Sequence, residues 1–168
     1  MALGCGVGGA HAQGQPSPQA LPRTLPAVEQ AIAAHPDDPR LRLRQALLLQ
    51  QAHEDAQAIK VLRALSLRYP ELPEPYNNLG VLYAAQGQYQ LARAQFEAAL
   101  RANADYATAA SNLGDVYLRL GEQAYERALQ GSGDAGARAH AQRMLRQLRA
   151  IDTIPRQPAA SPPTGTRP

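Results

Sequence analysis

The chain has 168 residues, 45% of them apolar and 18% charged, which is enough for one globular domain with tails. The formal charge is +3 and the arginines are spread along the chain, so no dense basic patch marks a nucleic-acid surface. A single cysteine, Cys5, excludes an internal disulfide or a thiolate metal site, and no apolar run of about 18 residues exists to span a membrane.

The first residues, MALGCGVGGAHAQG, are small and weakly apolar, with no Lys or Arg. Ala10-His11-Ala12 before Gln13 fits the small-x-small cleavage site of a secretory signal, although the basic start is missing and the apolar run is short. Residues 1–12 therefore read as a signal-peptide-like remnant, with the true start upstream of Met1, and imply export to a bacterial periplasm. Two other readings stay open: lipidation at Cys5, and a plain cytoplasmic tail. Residues 13–23, QGQPSPQALPR, have the composition of a flexible linker.

Periodicity begins at Thr24. Leu25, Val28, Ala31 and Ile32 recur at three and four, with Thr24 as N-cap and Pro26 in the first turn, so residues 24–38 predict a capping helix and its turn. The next stretch repeats at a fixed interval. Pro36 and Pro70, Ala46 and Gly80, Leu49 and Tyr83, Ala58 and Ala92, and Leu62 and Phe96 are each 34 residues apart. Residues 39–72 and 73–106 are then two full units, each a pair of helices. Ala46, Gly80 and Gly114 are expected where helices cross closely, and Leu49, Tyr83 and Tyr117 are expected to fill the space beside them. Gly87 and Gly121 match a helix-ending turn, with His53 in that place in the first unit.

Residues 107–130 make a third, truncated unit, whose second helix is short or fused to the first because about five residues are missing from the 34-residue period. GSGDAG at 131–136 is a break, and 134–151 predict a C-terminal capping helix with Asp134 as N-cap and Ala141, Met144, Leu145, Leu148 and Ile151 as its apolar stripe. Residues 152–168 form a Pro-rich tail with a disordered composition.

The best-formed unit carries Leu79-Gly80, Tyr83, Gly87, Tyr89, Ala92, Phe96, Ala99 and Leu100. That pattern resembles the tetratricopeptide repeat (TPR) family, and covers residues 39–130 with decreasing fidelity at each end. The resemblance implies an all-α fold, a TPR-type helical solenoid of antiparallel helix pairs, and a protein–protein interaction scaffold rather than an enzyme. It also implies a concave groove lined by the first helix of each unit. Carried over by position, the partner-binding candidates are Arg40 and Arg44 in the first unit, Asn77, Asn78 and Val81 in the second, and Ser111, Asn112 and Asp115 in the third. Leu43, Leu47, Gln50, Ala84, Thr108 and Arg119 occupy further groove positions.

Asn78 and Asn112 stand 34 residues apart, each immediately before Leu-Gly. In the resembling family an Asn there pairs with a peptide backbone; the plain alternative is that it braces a neighbouring helix. A subgroup that grips chaperone C-termini has Lys, Asn and Lys where this chain has Leu43, Leu47 and Thr108, so that ligand is disfavoured. Arg40 and Arg44 could meet an acidic segment or simply face solvent.

Catalytic constellations are missing from the sequence. His11, His35, His53 and His140 fall in a tail, two turns and an end helix, none with a second ligand at metal spacing, so no metal and no cofactor is expected. Two other functional readings stay open beside the scaffold: self-assembly of copies through the edge near residues 122–136, and an accessory role carried by the tails.

Overall fold

The computed structural model describes residues 21–131 and 134–152. Among the described residues there are helices and no strand: α1 (Leu25–Ala34), α2 (Pro39–Gln51), α3 (Asp55–Arg68), α4 (Pro73–Ala85), α5 (Tyr89–Ala102), α6 (Ala107–Gln130) and α7 (Ala135–Asp152). The signal-like stretch 1–12, residues 13–20 of the linker and the tail from residue 153 lie outside the described residues. The chain divides into two compact units, Met1–Val61 and Leu62–Pro168, with the division inside α3.

In the first unit, α1 and α2 pack through Val28, Ile32, Leu41 and Leu48, with Leu25 and Ala31 at the edge of that core. Burying these branched side chains contributes roughly 1.5–3 kcal/mol each. Thr24 takes the N-cap position of α1, but its hydroxyl makes no capping bond. Asp38 does cap α2: its Oδ1 accepts the Arg40 backbone N–H at 3.0 Å, and Pro39 opens the helix where its missing N–H costs nothing. At the other end of α2, His53 adopts φ 59°. The His53 N–H bonds Gln50 O at 3.0 Å and the Glu54 N–H bonds Leu49 O at 2.8 Å, satisfying two terminal carbonyls by a left-handed residue.

The second unit repeats that helix ending with the residue best suited to it. Gly87 has φ +71°, the Gly87 N–H bonds Ala84 O at 3.0 Å, and the Gln88 N–H bonds Tyr83 O at 2.9 Å. The turn folds α5 back on α4, and Gly80 meets Phe96 at the crossing. A Cβ on Gly80 would stand 2.5 Å from Phe96 Cε1, so only glycine admits the ring. Phe96, Leu79, Leu82, Ala92 and Ala99 are all within 2% of complete burial around it. α6 then packs on α5 and, more lightly, on α4. The turn before it forms without the proline expected at Ala104: Asn103 Oδ1 accepts the Asp105 N–H at 3.0 Å.

Residues 107–130 depart from the expected helix pair. They form one continuous helix of 24 residues, and Gly121 lies inside it rather than at a turn. The run after Gly121, EQAYERALQ, consists largely of strong helix formers. A separate second helix of that length would be too short to hold a buried face. The Arg119 guanidinium also donates to Glu122 Oε2 at 3.0 Å across the glycine.

The partner of α6 is α7. Tyr125 and His140 meet edge-to-face with ring centroids 5.9 Å apart, and Arg149 Nη2 lies 3.1 Å from Glu126 Oε1. Leu148 Cδ1 lies 3.7 Å from the position of a Cβ on Gly121. These pairings run in opposite directions along the two helices. Ala141 and Leu145 are buried, while Ile151 at the last turn is 49% exposed. Asp134 caps α7 by accepting the Ala137 N–H at 2.6 Å. The segment expected to be a separate cap is thus the second member of the last helix pair.

Candidate functional site

The first helices of the two later units, α4 and α6, come together through an amide pair. Asn77 is buried to 5% exposure, and its Oδ1 accepts Asn112 Nδ2 at 2.9 Å. Asn77 Nδ2 in turn lies 3.4 Å from Asn78 Oδ1. A buried amide needs such a partner, because an unmet polar group there would cost about 1–3 kcal/mol. The chain of three side chains tethers α6 to α4 while Asn78 stays half-exposed.

Beside this tether lies a cleft of 320 Å³. Val81 and Ala84 come from α4, Tyr89 and Phe96 from α5, and Asn112, Asp115, Val116 and Arg119 from α6. The lining is apolar on the α4 side and carries an amide, a carboxylate and a guanidinium on the α6 side. Val81 is 37% exposed, so its methyl groups are available to a ligand. Such a mixture suits an extended peptide, whose backbone asks for amide partners and whose side chains ask for small apolar seats.

Of the sequence-derived candidates, the structure brings Asn77, Asn78, Val81, Asn112 and Asp115 together here. Ser111 is exposed on α6 and does not line the cleft. Arg40 and Arg44 belong to the first unit, and both guanidiniums are engaged. Arg40 chelates Asp38, with Nη2 2.7 Å from Oδ2 and Nε 3.0 Å from Oδ1. Arg44 Nε donates to Pro22 O at 2.8 Å and holds the incoming chain against α2. Tyr89, Phe96 and Val116 were not named as site residues; the repeat pattern marks Tyr89 and Phe96 as core positions, and it is the gap between α4 and α6 that lets the ligand side reach them.

Electrostatics near the cleft are mild. Tyr106 at the start of α6 is held above its ordinary 10.0 by burial and then by the charge of Glu74, so it stays a neutral phenol at physiological pH. In the first unit, the Arg40 side chain holds the Asp38 carboxyl below its ordinary 3.8, against the opposing pull of desolvation. Among the described residues, no three His, Cys, Asp or Glu side chains gather as a metal site requires, and no helix is long and apolar enough to cross a membrane.

Helix pairs of this length, closed by a left-handed turn and crossed at a glycine against an aromatic ring, define an all-α fold of the tetratricopeptide solenoid type. A family model described as TPR repeat matches residues 82–121, from the end of α4 through α5 to the middle of α6. The match therefore spans the cleft and most of its lining. Comparison with curated proteins returns no match. Repeats of this type are in general protein–protein interaction modules and typically non-catalytic.

Proposed function

We propose that the chain is a non-catalytic scaffold that holds an extended segment of a partner protein in the cleft between α4 and α6. The observation that carries this reading is the cleft itself: exposed Val81 faces a wall carrying Asn112, Asp115 and Arg119, and the TPR match covers the same residues. Asn112 Oδ1 and Asn78 Nδ2 make no hydrogen bond to the described residues, and supply one acceptor and one donor for a peptide backbone.

The test is crosslinking and capture from the native source, comparing the wild-type chain with Val81→Asp and Asn78→Ala. Both side chains are partly exposed, so both variants should fold. Loss of the same captured partner in both supports the cleft; unchanged capture rejects it. Self-assembly through the edge near residues 122–136 is the weaker alternative, because α7 packs along that edge.

The same proposal places the protein in a bacterial envelope, exported to the periplasm, on the strength of the small-residue stretch ending in Ala10-His11-Ala12. N-terminal sequencing of mature protein should begin at Gln13. An intact Met1 would reject export and favour the cytoplasm.

A further inference from the structure

One stripe of α6 begins uncovered and ends covered. Gly114, Tyr117, Gly121 and Tyr125 lie on it at spacings of three and four. Gly121 and Tyr125 are met by Leu148 and His140 of α7. Gly114 has nothing within 4 Å of a Cβ position, and Tyr117 is 50% exposed. The equivalent positions one period earlier, Gly80 and Tyr83, are covered, Gly80 by the Phe96 ring. The α6–α7 interface therefore stops short of the seat that an apolar side chain fills in the preceding pair.

The chain itself is heading for that seat. Going from Gly121 back to Gly114 is seven residues, about 10.5 Å along α6 at 1.5 Å per residue. From Leu148, α7 runs four residues further to Asp152, covering about 6 Å in the same direction. The remaining 4–5 Å is roughly one or two extended residues. That brings Ile154 to Gly114. Pro155 follows it, and a residue before proline is pushed into the extended region, so the helix must stop and the strand-like chain must begin at this point. Ile154 is the one large aliphatic side chain in residues 153–168.

We propose that residues 153–156 of this same chain dock on the uncovered stripe of α6, with Ile154 seated on Gly114 beside Tyr117. The interface continues an existing one, the length of chain needed is present, and an open face of Gly and Tyr offers the space and the apolar surface that an isoleucine requires. This seat is distinct from the α4–α6 cleft and does not depend on its function.

Disulfide trapping in the full chain tests it. In a Cys5→Ser background, Gly114→Cys with Ile154→Cys should form an intramolecular disulfide on mild oxidation. It should do so about tenfold faster than Gly114→Cys with Ala160→Cys, since only the first pair is held within the Cα separation a disulfide allows. Equal rates for the two pairs overturn the proposal. A disulfide that links two chains also overturns it, and assigns the stripe to a second copy. Because cysteine at Gly114 could alter the seat, Ile154→Asp supplies an independent reading with α6 unmodified. Amide exchange over residues 110–118 should rise about threefold while that of α4 and α5 is unchanged. Unchanged exchange over 110–118 overturns the proposal as well.

Discussion

The Tyr83 hydroxyl accepts two hydrogen bonds from Arg63, at 2.6 Å from Nη2 and 3.1 Å from Nε. Thirty-four residues on, at 63 + 34 = 97 and 83 + 34 = 117, the Tyr117 hydroxyl donates to Glu97 Oε1 at 3.3 Å. The repeat keeps the position of the contact and reverses its polarity. A phenol can do both, being donor and acceptor at once. Burial separates the two: Tyr83 is 5% exposed and Tyr117 is 50% exposed. Tyr83→Phe should therefore cost about 1 kcal/mol, the worth of a charge-assisted bond, and Tyr117→Phe less than about 0.5 kcal/mol. Urea denaturation of the two variants measures the difference, and equal losses would contradict it.

Glycines of one pattern should respond in opposite directions. Gly80→Ala forces the Phe96 ring out of its seat and should destabilise by roughly 1–3 kcal/mol. Gly87→Ala places a side chain at φ +71°, and should cost about 1 kcal/mol. Gly121→Ala does the reverse, because it sits in helix and its new methyl meets only Leu148 Cδ1 at 3.7 Å. It should stabilise by about 0.5–1 kcal/mol. Thermal melts followed by circular dichroism give all three signs.

His53 does the work of Gly87 with a side chain in the way. His53→Gly relieves the left-handed strain at φ 59° while loosening the unfolded chain. The net gain should be about 0.5 kcal/mol, read as a raised urea midpoint. A lowered midpoint would mean that the imidazole holds the turn by contacts that outweigh the strain.

The amide tether should be costly to break from one side. Asn112→Ala leaves the buried Asn77 Oδ1 without its donor and should cost about 1–3 kcal/mol, whereas Asn78→Ala, half-exposed, should cost less than about 0.5 kcal/mol. Denaturant titration of the pair checks this, and it also decides which asparagine can be altered safely when partner capture is assayed.

Acid should weaken the α1–α2 end. The Asp38 carboxyl is held below its ordinary value by Arg40, so its folded value is lower than its unfolded one. Such a group contributes stability that is fully present above the ordinary 3.8 and is lost as pH falls through the lowered folded value. Asp38→Asn keeps a capping oxygen but not the charge. Its deficit relative to wild type should be largest near neutrality and shrink toward zero below pH of about 3. A deficit that does not change between neutral pH and acid would contradict the assignment.

The 34-residue spacing made the paired helices legible before any coordinates. Ala46, Ala58, Gly80, Ala92 and Phe96 are all interior positions because small and large residues must alternate where helices cross. The end of the array was not legible by the same route. Gly121 stands where Gly87 stands, yet only Gly87 is left-handed. What differs is the sequence that follows: residues 122–130 favour helix and are too few to make a second one. Position in the period suggests a turn, and local propensity overrides it. At the candidate site, position in the repeat found the asparagines, but could not tell which would pair. Asn112 joins Asn77 rather than serving as the counterpart of Asn78, since helix rotation decides which of two adjacent residues faces inward. Arg40 and Arg44 were found as charges; their capture by Asp38 and Pro22 depends on how the chain enters α2.

Running unbroken through Gly121 makes α6 a lever. Its first half forms one wall of the cleft, and its second half carries α7. From Asn112 to Gln130 is eighteen residues, about 27 Å of rigid rod. A ligand that tilted the cleft wall by about 10° would therefore swing the far end by about 5 Å. A helix broken at Gly121, as in the preceding pair, would absorb that tilt at the turn, whereas this one delivers it to the far end of the chain.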